Sequence, residues 1–392
     1  MKLNFKKILT LALITVVMAT IAFALSSCSI AGGLCDHQFE EDVCVRCRIK
    51  VEECFDFILS DSKNTYSIKA KSNESLPKNL YIPATYKGKP ITKIEESAFV
   101  ECSRIRSVVI SENVTTIGTN AFFGCKNITD VEIPKSVSSI DPFAFSYCKN
   151  LVNITVDQKN SSYESKDGNL YTKGGRTIVQ YAIGKKNETF EIPSTVMAIN
   201  SGAFYMSQNI KSVEIPQRVT SIGNEAFLGC GKLQSVTIPN SVIKIHAGAF
   251  KWCASLTSVT LGNSVTNIYD SAFAYCTNLS SLVIPDNVIS VGKEAFIECY
   301  GLKSVVIGNK LTVIDEYTFK NCISLSSVII GDGVKTINPY AFEGCISLKS
   351  VLFKNASDWT VDGAKVPQKN LADSKKAAEY LTTTYVSATW KR

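Results

Sequence analysis

The chain has 392 residues, 45% hydrophobic and 20% charged, which is the composition of a folded protein and suits either two domains or one long repeat array. The formal net charge is +7, and removing residues 1–27, which hold three lysines and no acidic residue, lowers it to +4. So small an excess of positive charge argues against nucleic acid as a partner.

Residues 1–27 have the pattern of a secretory signal peptide. Three lysines open the chain, and residues 8–25 are apolar apart from three threonines. This apolar stretch is nearly long enough to cross a membrane, so a transmembrane anchor is the alternative. The sequence Leu25-Ser26-Ser27-Cys28 favours the signal peptide, because it resembles the lipobox of bacterial lipoproteins. The resemblance implies an exported protein that is lipidated on Cys28 and anchored through that lipid at the bacterial cell surface.

Residues 28–54 contain five cysteines and one histidine and form a zinc-knuckle candidate. Cys35, His37, Cys44 and Cys47 have spacings that can close around a tetrahedral Zn²⁺ ion. The segment has few apolar residues, so a metal or disulfides would be needed to order it. We predict a structural zinc site with these four ligands. Disulfides that use Cys54, or a flexible tether, are the alternatives.

A 23-residue repeat occupies most of the remaining chain. Its anchor is a phenylalanine, preceded by alanine in nine of ten cases, at positions 99, 122, 145, 204, 227, 250, 273, 296, 319 and 342. Every step is 23 residues except the one from 145 to 204. The unit reads AFxxCxxLxSVxIPxxVxxIxxx, and one unit cannot bury its own apolar face, so the units must stack.

Each repeat is predicted to hold one short strand and one turn. The Val-x-Ile segment alternates with period 2, which indicates a strand with Val and Ile inward. The AFxxCxxL segment suits a helical or 3₁₀ turn with Phe, Cys and Leu inward. About twelve parallel strands result, whose inward residues are 82, 110, 133, 156, 192, 215, 238, 261, 284, 307, 330 and 353.

Three segments depart from the regular repeat. A hairpin around Lys-Gly-Gly-Arg is predicted at about residues 163–184, within a repeat region that spans 83–354. Residues 55–82 are predicted to be an N-terminal β cap, and residues 355–392 a C-terminal cap in which Asp373 begins a helix.

Nine cysteines lie three residues after an anchor phenylalanine, which predicts a column of buried thiols rather than disulfides. They are at positions 102, 125, 148, 230, 253, 276, 299, 322 and 345. The repeat, over about residues 75–354, resembles the BspA-type leucine-rich repeat of bacterial surface proteins. The segment from Asp167 to Lys173 is also similar to one in that family. The resemblance implies a strand-rich α/β leucine-rich-repeat solenoid and a role as an adhesin or binder of host proteins.

The strand surface supplies a candidate binding site. The residue after the inward Val points outward, and the last four strands place Val283, Val306, Ile329 and Leu352 there. We predict that this apolar stripe contacts a protein partner or a second copy of the chain. The alternatives are a ladder that only stabilises the sheet, or a stripe covered by the C-terminal segment.

No catalytic constellation is present in the sequence. The chain has two histidines, His37 and His246, and no phosphate-binding loop or metalloprotease motif. The predicted function is therefore a non-catalytic surface adhesin or scaffold for a host, extracellular-matrix or envelope protein. A glycan-binding accessory lipoprotein is the alternative, although only Tyr81 places an aromatic ring at the varying outward position of the strands. A hydrolase is the least favoured function.

Overall fold

The computed structural model describes residues 39–40, 42–44 and 50–392, which divide into two compact units. The first unit runs to residue 148 and includes 155–161, and the second contains 149–154 and 162–392. The predicted signal peptide, Cys28, Cys35, His37 and Cys47 lie outside the described residues. Among the described residues, no helix is both long and apolar enough to cross a membrane.

Both units are stacks of solenoid turns, and each repeat contributes one long strand to a parallel sheet. The inward residues are buried and the outward ones exposed, as with Val131 and Glu132, because successive side chains point to opposite faces. The described residues include twelve long strands, in agreement with the prediction of about twelve. They are Asn79–Ile82, Ser107–Ile110, Asp130–Ile133, Asn153–Val156, Thr189–Glu191, Ser212–Glu214, Ser235–Thr237, Ser258–Thr260, Ser281–Ile284, Ser304–Ile307, Ser327–Ile330 and Ser350–Phe353.

A second series of strands follows the long ones. Only Thr177–Gln180 among them was predicted from the sequence, as part of the hairpin. Most of them are two residues long and begin two residues after the Val of a Val-x-x-Ile segment. Most pair in parallel with their neighbours, as Ile245 does with Ile268. The series comprises Lys89–Ile94, Thr116–Ile117, Ser139–Ile140, Thr177–Gln180, Ala198–Ile199, Ser221–Ile222, Lys244–Ile245, Asn267–Ile268, Ser290–Val291, Val313–Ile314 and Thr336–Ile337. A strand of two residues is too short to show alternation, and for this reason the period-2 criterion missed it.

The third side of each repeat is a chain of hydrogen-bonded turns where a helical or 3₁₀ turn was predicted. Within one repeat, the Cys253 amide donates to the Phe250 carbonyl at 3.2 Å, which is the i to i+3 spacing of a 3₁₀ turn. Between repeats, the Phe250 amide donates to the Ala272 carbonyl at 2.7 Å. Gly248 and Trp252 both have φ of 62°, and such left-handed residues on either side of the phenylalanine prevent a continuous helix.

The anchor phenylalanines form the core of each unit by stacking on one another. In the first unit Phe99 and Phe122 have centroids 5.0 Å apart and ring planes 6° apart. In the second unit the stack begins at Tyr181 and runs through Phe204 to Phe342, with every centroid spacing between 4.7 and 5.6 Å. The repeat length therefore fixes which rings meet, and each buried ring contributes about 1.5–3 kcal/mol by leaving water.

The N-terminal part of the first unit is mostly β-structure. The hairpin Phe55–Leu59 and Tyr66–Ala70 pairs with Lys89–Ile94, at the edge of the short-strand sheet. Preceding this hairpin are the strands Phe39–Glu40 and Val43–Cys44 and the helix Val51–Cys54, and the strand Thr85–Tyr86 pairs with the start of Lys89–Ile94.

The second unit contains the insertion and the C-terminal segment. The insertion has three antiparallel strands, Tyr163–Lys166, Asn169–Thr172 and Thr177–Gln180, rather than the two of a hairpin. The C-terminal segment has the strands Thr360–Val361, Ala364–Lys365 and Trp390–Lys391, the helices Gln368–Ala372 and Ser374–Glu379, and the π-helix Tyr380–Thr384. As predicted, Asp373 begins a helix, and its carboxylate accepts from the amides of residues 375 and 376.

Candidate protein-binding surface

The apolar stripe of the second unit consists of Val283, Val306, Ile329 and Leu352. The four residues are direct cross-strand partners in three successive parallel pairs. Since neighbouring strands lie about 4.8 Å apart, the stripe is roughly 14 Å long. The regular 23-residue spacing is the reason that these side chains meet, because any other repeat length would shift the register.

The stripe is accessible along its length. Val283 is 61% exposed and Leu352 is 50% exposed, while Val306 and Ile329 are half-buried between their neighbours. The C-terminal segment packs instead on the opposite side of the last long strand, where Val351 is fully buried and Phe353 is 5% exposed. The alternative that this segment covers the stripe is therefore wrong.

The long strands of the second unit form two four-stranded sheets, and their outward surfaces differ in character. The first two strands of the first sheet carry Glu191 and Glu214 in register, and the next two carry Thr237 and Thr260. These four side chains are exposed. A row of serines runs beside the stripe at positions 281, 304, 327 and 350, each aligned with the next. The face can thus offer an apolar patch, hydroxyl groups and carboxylates to one ligand.

The long-strand face of the first unit has a shallow concavity of about 360 Å³. Tyr81, Glu132 and Asp157 are among the residues that line it. Glu112 also lines it and forms an ion pair with Lys135 at 2.6 Å. The carboxylates make this concavity suitable for a basic or hydrogen-bond-donating group of a ligand.

Of the four predicted zinc ligands, the structure describes only Cys44. It is fully buried in the strand Val43–Cys44, which pairs with Phe39–Glu40. Cys54, considered above for a disulfide, donates through Sγ to the Ser75 carbonyl at 3.4 Å. Within the described part of the chain, no three metal-ligand side chains converge.

The column of nine cysteines is buried with reduced thiols, as predicted. Eight of the nine donate from Sγ to the carbonyl of the phenylalanine 26 residues earlier, as Cys276 does to Phe250 at 3.2 Å. Burial raises the pKa of the Cys299 thiol from 9.0 to about 12. A thiol of this kind is a poor nucleophile, so the column is part of the core and not a reactive site.

The one histidine among the described residues is half-buried on the turn side. The His246 ring stacks on Tyr269 at 5.1 Å, and its pKa is lowered first by burial and then by Lys244. These contacts account for its position without a catalytic role.

Sequence reasoning missed a group of exposed or half-buried aromatic side chains on the turn side of the second unit. Trp252 and Tyr275 lie directly before the cysteine of successive repeats, and Tyr300 lies directly after the cysteine of the next. Trp252 is 48% exposed and Tyr300 is 38% exposed. Comparing the repeats position by position next to the cysteine column would have found this group, whereas strand alternation does not reach the turns.

Comparison with known proteins agrees with this architecture. A sequence profile of the BspA-type leucine-rich repeat region matches residues 72–167, 177–300 and 266–361 in six copies, which is more than half of the chain. A leucine-rich repeat protein from Eubacterium ventriosum is similar in structure, with a TM-score of 0.56, 23% identity, and coverage of 74% of this chain and 92% of that one.

The pneumococcal vaccine antigen PcpA is also similar in structure. Its TM-score is 0.50 at 17% identity, with coverage of 76% of this chain and 92% of that one. A search of curated protein sequences finds no significant match. At these identities the structural likeness concerns the fold.

Proposed function

Because the chain belongs to the BspA-type leucine-rich-repeat family, we propose that it is a non-catalytic binding protein displayed on a bacterial surface. In this proposal, a lipid on Cys28 holds the protein at the membrane and the repeats recognise a host, extracellular-matrix or envelope protein. The apolar stripe of Val283, Val306, Ile329 and Leu352 is the contact surface.

The observation that carries the proposal is the accessibility of the stripe. Four large aliphatic side chains stand in line on a sheet surface, and the two end residues are at least half exposed. Exposed aliphatic groups contribute little to stability, whereas covering them on association removes their apolar area from water. The neighbouring serines at positions 281, 304, 327 and 350 supply the polar rim that protein interfaces have.

The experiment is a charge substitution within the stripe. The double variant Val306→Lys/Ile329→Lys should abolish binding to a panel of immobilised matrix proteins (fibronectin, laminin and collagen) measured by surface plasmon resonance. The matched control is Thr237→Lys/Thr260→Lys, which adds the same charge on the neighbouring four-stranded sheet of the same unit, outside the stripe. Circular dichroism should show that both variants are folded.

Unchanged binding by the stripe variant would contradict the proposal. Analytical ultracentrifugation of the chain alone tests whether the stripe binds a second copy of the chain. In that case a dimer of the wild type would become a monomer in the stripe variant and remain a dimer in the control.

The lipid anchor has its own test. Expression in a bacterial host should yield a membrane-associated chain that lacks residues 1–27 and carries acyl chains on Cys28, as measured by mass spectrometry. Cys28→Ser should carry no acyl chain and should keep residues 1–27. A wild-type chain that keeps residues 1–27 and carries no acyl chain would instead favour a transmembrane anchor in residues 8–25.

A further inference from the structure

The aromatic row of the second unit consists of Trp252, Tyr275 and Tyr300 and lies in three successive turns. The centroids of Trp252 and Tyr275 are 5.8 Å apart, and their planes are tilted by 54°. The varying outward positions of the long strands in the same unit carry no aromatic ring in any of the eight strands. The turn side therefore offers a ligand a chemistry that the apolar stripe lacks.

Neighbouring polar groups hold the row in place. Lys251 Nζ lies 5.4 Å from the Trp252 centroid and 5.7 Å from the Tyr275 centroid, so one ammonium contacts both rings. The Tyr300 hydroxyl donates to the Glu298 carboxylate at 2.6 Å, and this hydrogen bond is the main reason that the pKa of Tyr300 is raised. Rings that are already oriented lose little side-chain freedom when a ligand binds.

Local charge narrows the class of ligand. The three turns of the row, at residues 246–254, 269–277 and 292–300, contain two lysines and three acidic residues, a net charge of −1. They therefore lack the excess of positive charge that binds nucleic acids and other polyanions. A cationic ligand would have to displace Lys251 from the faces of Trp252 and Tyr275. The remaining class is a neutral ligand that has both an apolar face and hydrogen-bonding groups.

We infer that the aromatic row binds a neutral saccharide chain. A pyranose ring presents a face of C–H bonds, which packs on the electron-rich face of an aromatic ring, while its hydroxyl groups point sideways. Lys251 can donate to those hydroxyls and the Glu298 carboxylate can accept from them. The site is independent of the protein-binding function proposed for the apolar stripe.

Trp252→Gly is the decisive variant, because it removes the ring without imposing backbone strain. Trp252 has φ of 62°, and the same position in other repeats is glycine at Gly229 and Gly344, with φ of 68° and 72°. The other two tryptophans of the chain, Trp359 and Trp390, are each 1% exposed. A change of tryptophan fluorescence on saccharide binding therefore reports on Trp252.

The measurement is titration of the full chain with cellohexaose, chitohexaose, mannohexaose and laminarihexaose, followed by fluorescence and calorimetry. We expect saturable binding of at least one of the four. In calorimetry, Trp252→Gly should abolish binding, and Tyr275→Gly should weaken it by about tenfold, as expected for one lost aromatic contact. The matched control is Tyr317→Gly, which removes a ring at φ of 58° outside the row.

Three results would overturn the inference. The first is that none of the four saccharides binds to the wild type. The second is that they bind to Trp252→Gly as they do to the wild type. The third is that the wild type binds a matrix protein but no saccharide, and that Trp252→Gly no longer binds this matrix protein. That result would make the row part of a protein-binding surface. Saccharide binding that is lost in Trp252→Gly and retained in Val306→Lys/Ile329→Lys would support the inference. This result does not depend on whether the apolar stripe binds a protein.

Discussion

Ser207 occupies the position that cysteine holds in nine other repeats, and its replacement should stabilise the protein. The side chain is 1% exposed, and its hydroxyl has no hydrogen-bond partner within the described residues. In the regular repeats this position donates to a carbonyl 26 residues earlier. For Ser207 that carbonyl belongs to Tyr181, and it already accepts from the Gln180 side chain at 2.8 Å.

The expected gain follows from the cost of the unpaired hydroxyl. A buried polar group without a partner costs about 1–3 kcal/mol. Ser207→Ala removes this cost but leaves the site slightly underfilled, so we expect a net gain of about 1 kcal/mol. Ser207→Cys also restores the volume of the column and should gain at least as much. For a unit of this size, each kilocalorie raises Tm by about 2–4 °C.

Urea unfolding followed by circular dichroism measures the change. The control is Cys276→Ser in a regular repeat, where the thiol is fully buried and donates to the Phe250 carbonyl at 3.2 Å. The hydroxyl there keeps an acceptor but loses apolar volume, so this variant should be destabilised by about 1 kcal/mol. If Ser207→Ala is neutral or destabilising, the Ser207 hydroxyl has a partner and the reasoning is wrong.

Three further predictions concern the core and the cysteines. Burial raises the pKa values of Cys148, Cys230 and Cys299 from 9.0 to about 12. The stability that each thiol contributes is therefore complete below pH 9 and lost between pH 9 and 12, at about 1.4 kcal/mol per pH unit. Circular dichroism should show that the wild type unfolds in this pH range. Replacing these cysteines by alanine should move the unfolding transition to higher pH. Phe250→Ala removes one ring of a stack and should lower the free energy of unfolding in urea by about 3–5 kcal/mol. Replacing an exposed residue by alanine should change it little. We also propose that the purified chain holds about one zinc ion, which elemental analysis measures. Cys44→Ser should lower the zinc content, whereas replacing a repeat cysteine by serine should leave it unchanged. Equal zinc in wild type and Cys44→Ser would contradict the proposed ligand set.

The long strands and the core could be predicted because the residue at a given repeat position has the same structural role in every repeat. Phe250, Cys253 and Leu256 recur as the same residue types because each must fill the same space beside its neighbours, and all three are fully buried. The outward stripe follows from the same strands by alternation. For these features, period and residue type were sufficient.

The short strands and the form of the turns could not be predicted in this way. Val242 and Ile245 are both buried and lie three residues apart. This spacing occurs both in helices and in extended chain that bends, so it does not distinguish the two. The turns depend on left-handed residues, and most of them are not glycine. Glu225, Ser271 and Tyr317 all have positive φ, and their side chains give no indication of it. The hydrogen bonds between successive repeats hold these conformations, so the cause is tertiary and not local.

The same backbone conformation bears on the aromatic row. Gly229 and Gly344 occupy the position before the cysteine without strain, but Trp252 and Tyr275 occupy it with φ of 62° and 61°. A bulky side chain is disfavoured there by about 1–3 kcal/mol relative to an unstrained residue. Packing does not offset this, because Trp252 is 48% exposed while the rings that form the core are 0–1% exposed. The same position holds Glu298 and Asn321 with φ of 57° and 59°, so the fold tolerates positive φ there without glycine. What sets Trp252 apart is its exposed ring, which the inferred saccharide site would use.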